Sequence, residues 1–296
     1  MHATSPLSTL VLAFGLAATL PAGADTLQKI AESGQITLAY RESSVPFSYL
    51  AAGSAHEGFS MDIANAVADA VKKQLKKPDL KVALQAVTSQ NRLPLLQNGT
   101  IDLECGSTTN NTVRGKDVQF AINHFYTGTR LLVKKASGIK NYADLAKKNV
   151  ASTTGTTNAQ VIRKYNADKN LGMEIQLGKD HDDAMLLVDS GRAVAFAMDD
   201  ILLYGLIGNA KNPAEWDVVG DSLQVEPYAC MLRKDDPQFQ QLVNGVIGGM
   251  VKSGQFEKLY TKWFMSPIPP KGQSLNLPMS KELRDNLKAL SDKPAI

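Results

Sequence analysis

The stretch 89–114, SQNRLPLLQNGTIDLECGSTTNNTVR, decides how the rest of the chain is read. A short amphipathic run is ended by the turn signal Asn98-Gly99, and an apolar segment, 101–105, then gives way to small hydroxyl residues. Helix, strand and loop in that order describe one step of a layered α/β fold. The stretch also holds Arg92 and Arg114. A guanidinium is a rigid fork of donors that fits a carboxylate two bonds at a time. Hydroxyls and free N–H groups at a strand end supply what the fork leaves over. Together they make a grip for a small anion.

Outward from this stretch the α/β pattern continues. Ile36, Leu38 and Tyr40 alternate, predicting a strand that delivers Arg41 at its C-terminal end. A helix over 61–76 places Ile63, Val67 and Val71 on one stripe, with Ser60 as its expected cap. Strand 81–87, helix 90–98 and strand 101–105 follow. Segments 124–135 and 224–233 read as two extended crossings. Between them lie strand 149–153, a helix from about 156, strand 173–177, helix 182–190, strand 193–198 and helix 200–209. The chain therefore leaves one domain, builds a second and returns: 25–129 with 226–296 form domain 1, and 130–225 form domain 2. Helices 237–253 and 255–264 complete the first, with Phe239, Leu242, Val246, Met250, Phe256, Leu259 and Trp263 facing inward. The polar tail after Pro270 is expected to pack loosely.

Composition is that of an ordinary globular chain: 296 residues, 44% hydrophobic and 21% charged. A net charge of +3 without basic runs gives no reason to expect nucleic acid as a partner. Residues 7–20 are apolar or small, and Ala22-Gly23-Ala24 precedes Asp25, which predicts an export signal over 1–24 cleaved near Ala24/Asp25. No Lys or Arg precedes that apolar run, a departure from the usual signal. Cys105 and Cys230 are the only cysteines. An oxidising compartment would favour their pairing, and two separate buried thiols are the other possibility. A bridge over so long a loop could stabilise the fold by roughly 4–5 kcal/mol. Neither cysteine nor any of the four histidines has a partner at metal-ligand spacing, so no metal or cofactor is expected. The signatures GxSxG, HExxH and GxxxxGK[ST] are absent, and the glycines at 245–249 lie within a helical pattern, not after a strand.

The opening stretch, with RESSVPFSY at 41–49, SGRAVAFAMDD at 190–200 and YACMLRKDDPQF at 228–239, resembles the solute-binding proteins (family 3) of bacterial ABC importers. The resemblance covers about 25–270. The QNR segment, the two cysteines and KDHDD at 179–183 make it most similar to the glutamate/aspartate-binding branch. It implies a two-domain periplasmic-binding-protein type II fold, with mainly parallel sheets flanked by helices and two hinge strands. It also implies a periplasmic monomer that closes on L-glutamate or L-aspartate and delivers it to a membrane permease.

An acidic amino acid brings two carboxylates and one ammonium. The resemblance assigns Arg114, Thr109 and the helix start at Thr157 to the α-carboxylate, where unpaired N–H groups suit an anion. Asp199 and Ser107 are assigned to the ammonium, with Asp200 as the neighbouring helix cap. Arg41, Ser89 and Arg92, joined by His181 from the second domain, are assigned to the side-chain carboxylate. Two arginines on one carboxylate should exclude glutamine. Two other readings use the same fold: a dehydratase-like enzyme, for which Glu104 is the extra carboxyl, and a sensor module for acidic amino acids.

Overall fold

The computed structural model describes residues 25–51 and 55–295. The export signal expected over 1–24 lies outside the described residues. Two five-stranded sheets form the frame. The first runs Lys81–Ala86, Gln35–Tyr40, Leu103–Glu104, Met231–Arg233, Val118–Phe120, with the first three parallel and Met231–Arg233 antiparallel to both its neighbours. The second runs Glu174–Gly178, Asn149–Thr153, Ala195–Asp199, Thr129–Lys134, Trp216–Val219, on the same plan, with Thr129–Lys134 antiparallel to both its neighbours. In each lobe the odd strand belongs to a segment that comes from the other lobe. A two-stranded ribbon, Phe125–Thr127 against Glu226–Tyr228, carries both crossings.

The elements follow from their side chains. Alternating burial of Ile36 and Leu38 seats the first strand between two parallel neighbours. Helix Phe59–Leu75 buries Ile63, Val67 and Val71. It starts earlier than expected, with Gly58 as cap, because the Ser60 hydroxyl is used elsewhere. That hydroxyl donates to the Gly106 carbonyl at 3.0 Å and lies 3.2 Å from His124 Nε2. The strand expected over 101–105 shortens to Leu103–Glu104. Asp102 instead accepts from the Thr37 amide at 2.9 Å and pairs with Lys29 and Arg233 at 2.7 and 3.0 Å. The first crossing is divided at Gly128, where a Cβ would lie only 1.9 Å from Ser222 Oγ and 2.3 Å from the Gln224 carbonyl. Cys105 and Cys230 are bridged, joining the loop after the third parallel strand to the returning crossing.

The tail does not pack loosely. Helix Lys281–Ala289, capped by Ser280, buries Leu283 and Leu287. Tyr126 donates to Asn286 Oδ1 at 2.9 Å, and Asn286 Nδ2 donates to the Asn123 carbonyl at 2.8 Å. Further on, the Thr112 amide donates to the Ala295 carbonyl at 3.2 Å and the Ala295 amide to Asn110 at 2.9 Å. Two leucines one turn apart are enough to dock a helix whose other residues are mostly polar. Leu283→Ala should therefore cost about 2–4 kcal/mol in urea unfolding, as for a buried leucine. A loss below about 1 kcal/mol would show that the helix is not part of the core.

Candidate ligand-binding site

Both sheets send the C-terminal ends of their parallel strands toward one cleft, the usual ligand position in open α/β sheets. There Ser89, Arg92, Ser107, Thr109, Thr157, His181 and Asp199 line a small, tightly closed cavity together with Thr156, Asn158, Met198 and Leu202. Arg41 and Arg114 reach its two ends through His181 and Thr109. All nine residues singled out in the sequence thus converge from six different loops.

At one end the first lobe supplies Arg41, Ser89 and Arg92, all essentially excluded from solvent. Arg41 Nη2 donates to Asp180 Oδ1 at 2.5 Å and lies 3.4 Å from His181 Nε2. Its Nε and Nη1 are buried without a partner, as are Arg92 Nε and the Ser89 hydroxyl. Arg92 Nη1 donates to the Ser107 carbonyl at 3.3 Å and stands 3.8 Å from Glu104 Oε1. Burial pulls the Arg92 guanidinium down to about 9, against the attraction of Glu104, so it stays charged at neutral pH. Burial would raise the Asp180 carboxyl, but Arg41 holds it below the ordinary carboxylate range. His181 is pushed down to about 3 by burial, with Arg41 and Arg92 acting in the same direction against Asp180. Its ring is neutral, with Nδ1 2.9 Å from Thr153 Oγ1. This end is a pocket of buried donors that, among the described residues, lack full partners, with one buried acceptor, Glu104 Oε1, beside Arg92.

At the other end Arg114 donates to the Thr109 carbonyl at 2.9 Å and to the Gly155 carbonyl across the cleft at 3.4 Å. Helix Thr157–Lys169 begins here, capped by Thr156, which accepts from the Ala159 amide. Thr157, which the sequence places at the helix start, is the first helical residue. Asp199 is buried and accepts from Asn158 Nδ2 at 2.8 Å and the Tyr228 hydroxyl at 2.5 Å. Burial, then the nearby carboxylate of Glu226, raise its carboxyl well above the usual range. Asp200 does not take the cap position, which falls to the backbone of Asp199; its Oδ1 accepts from Thr127 Oγ1 at 2.6 Å.

The lobes touch across the cleft. Gly155 has φ of +77°, and a Cβ there would lie 2.6 Å from the Gln90 backbone, so the strand-to-helix turn needs glycine for both shape and approach. Residues 36–266 match the bacterial extracellular solute-binding proteins, family 3. The chain belongs to that family. It is 49% identical over 296 residues to the L-glutamate/L-aspartate-binding protein of Pseudomonas aeruginosa, covering 99% of this chain and 98% of that one. It is likewise 49% identical over 294 residues to the glutamate/aspartate import solute-binding protein of Escherichia coli, covering 97% and 96%. The crystal structure of an ancestral amino acid-binding protein, a precursor of cyclohexadienyl dehydratase, superimposes with a TM-score of 0.69 at 30% identity, over 81% of this family member and 99% of that chain.

Residues that the sequence did not single out complete the site. Asp180, carried in the sequence only within the KDHDD segment, is the cross-cleft partner of Arg41. Glu226 is fully buried and accepts from the hydroxyls of Thr109 and, at 2.7 Å, Thr157. The one available signal for Glu226 was a lone acidic residue inside an otherwise apolar crossing.

Two buried histidines set a pH dependence. His124 is pushed down to about 4 by burial, and His181 to about 3, from an ordinary value of 6.5. Both are neutral in the folded protein, whereas the unfolded chain protonates them as pH falls through 6.5. The unfolded state then binds more protons, so stability falls with pH, by up to about 1.4 kcal/mol per pH unit for each ring. The raised carboxyls of Asp182 and Asp199 act in the opposite sense, so the test is a difference: in urea unfolding between pH 6.5 and 5, His124→Gln should lose less stability as pH falls than the unaltered protein does. An unchanged slope in that variant would count against a neutral His124.

Proposed function

We propose that this protein captures L-glutamate or L-aspartate outside the inner membrane by closing its two lobes, and delivers it to the permease of an ABC importer. The observation that carries this reading is the set of buried, unpartnered donors on Arg41, Arg92 and Ser89. A buried polar group left unpaired costs about 1–3 kcal/mol, and more when charged, so such a cluster is built for a partner. A carboxylate is the group whose charge and acceptors answer it. The names of the two 49%-identical relatives point the same way.

In this reading the ligand's side-chain carboxylate meets Arg41, Ser89, Arg92 and His181. Its α-carboxylate meets Arg114 and the backbone amides of Thr109 and of the first turn of the helix at Thr157, whose dipole also favours an anion. Its ammonium meets Asp199 and the carbonyl of Ser107. The lobes divide near 129/130 and 225/226, and bending at the two crossings opens and closes the cleft. The chain is exported to the periplasm, with its signal removed near Ala24/Asp25, and acts as a monomer without metal or cofactor.

Binding is favoured over catalysis by the position of Glu104, the one extra carboxyl an enzyme could use. Its Oε2 accepts from Thr108 at 2.5 Å and its Oε1 faces Arg92, so it balances the arginines instead of waiting as a general acid.

Selectivity follows from charge. Glutamine in this cleft leaves two buried guanidinium groups facing an amide, whereas aspartate differs from glutamate by one methylene, worth only about 1–3 kcal/mol. Calorimetry should show L-glutamate and L-aspartate binding on the order of 100-fold or more tighter than L-glutamine. Arg92→Gln should narrow that gap. Glutamine within tenfold of glutamate on the unaltered protein would overturn the assignment.

A further inference from the structure

Glu226 has no place in the charge matching described so far. It lies in the returning crossing, fully buried, and all its hydrogen bonds come from neighbours. Gln224 Nε2 donates to its Oε1, and the hydroxyls of Thr109 and Thr157 both donate to its Oε2. A threonine hydroxyl has one proton to give and two lone pairs to receive with. Once both protons are committed to Glu226, these two oxygens can only accept. Both threonines line the cavity, beside Asp199 and Ser107.

We infer that Glu226 is a positioning residue for recognition of the ligand's amine, holding the Thr109 and Thr157 hydroxyls as acceptors turned toward an ammonium. The inference rests on the amino-acid-binding reading and adds to it how the cleft tells an amine-bearing dicarboxylate from a bare one. Two buried carboxylates, Asp199 and Glu226, then stand around one small space into which acceptor oxygens converge. Burial and the mutual repulsion of the pair raise the Asp199 carboxyl, an imbalance that an arriving cation relieves. Arg114, whose two donations go to carbonyls, brings no hydrogen bond to either carboxylate.

Glu226→Gln tests this. The variant keeps shape, and Oε1 can still accept from Gln224, which leaves the amide nitrogen against the two threonines. That nitrogen donates, and frees the hydroxyl protons to point into the cavity. Competition calorimetry would compare L-glutamate with glutarate, the same dicarboxylate lacking the amine. Glutamate affinity should fall at least tenfold while glutarate changes less than threefold. Glu226→Asp, which keeps the charge, should restore most of the preference. Thr157→Val, which removes one acceptor and preserves volume, should also weaken glutamate more than glutarate, and it keeps the test open if Glu226→Gln does not fold by circular dichroism. Equal losses for both ligands, or an unchanged ratio, would overturn the role. Failure of the parent reading looks different: the unaltered protein would then not prefer glutamate over glutamine at all.

Discussion

Three guanidinium groups buried around one cavity are the constraint to which the rest of the molecule answers. Removing a charge from water is costly unless fixed groups of opposite sign replace the solvent. Four carboxylates do so here. Asp180 and Glu104 stand near Arg41 and Arg92 at one end, while Asp199 and Glu226 flank the cavity near Arg114 at the other. The compensation is deliberately uneven in space. Donors stay unpaired where Arg41, Arg92 and Ser89 meet, and acceptors gather where Asp199, Thr109 and Thr157 meet. The cavity is therefore polar along its length, with unpaired donors at one end and, at the other, acceptors beside the Arg114 guanidinium. An α-amino dicarboxylic acid has the matching sequence of charges.

The architecture serves that polarity by bringing strand ends together. Two lobes on one plan place Arg41, Ser89 and Ser107 after parallel strands of the first sheet, and Thr157, His181 and Asp199 at or after those of the second. The Cys105–Cys230 bridge ties the start of the Ser107–Thr109 loop to the returning crossing. The C-terminal segment holds the same loop from behind through the backbone of Asn110 and Thr112. It lies beyond the matched family segment, which ends at residue 266.

Much of this was legible in the sequence, for identifiable reasons. Strands such as Gln35–Tyr40 and helices such as Phe59–Leu75 announce themselves by period, and Asn98-Gly99 by turn chemistry. The arginines stood out through the spacing of a recognisable family pattern, since a lone Arg92 in a short helix would otherwise read as surface. Three things did not show. Glu226 and Asp180 meet Thr157, Thr109 and Arg41 across 69 to 139 residues of chain, and local pattern has no term for that. The docking of Lys281–Ala289 depends on two leucines and the hydrogen bonds of Asn286, a signal too sparse against nine helical positions. The cap of Phe59–Leu75 moved because a tertiary bond to Gly106 outcompeted a local one.

Gly128 has a consequence for how closely the two crossings can pack. There the outgoing chain passes so close to the incoming one that a Cβ would strike Ser222 and Gln224. Even a methyl group there would act as a wedge between the two passages. The smallest residue is thus what lets the strand bound for the second lobe and the strand returning from it run side by side.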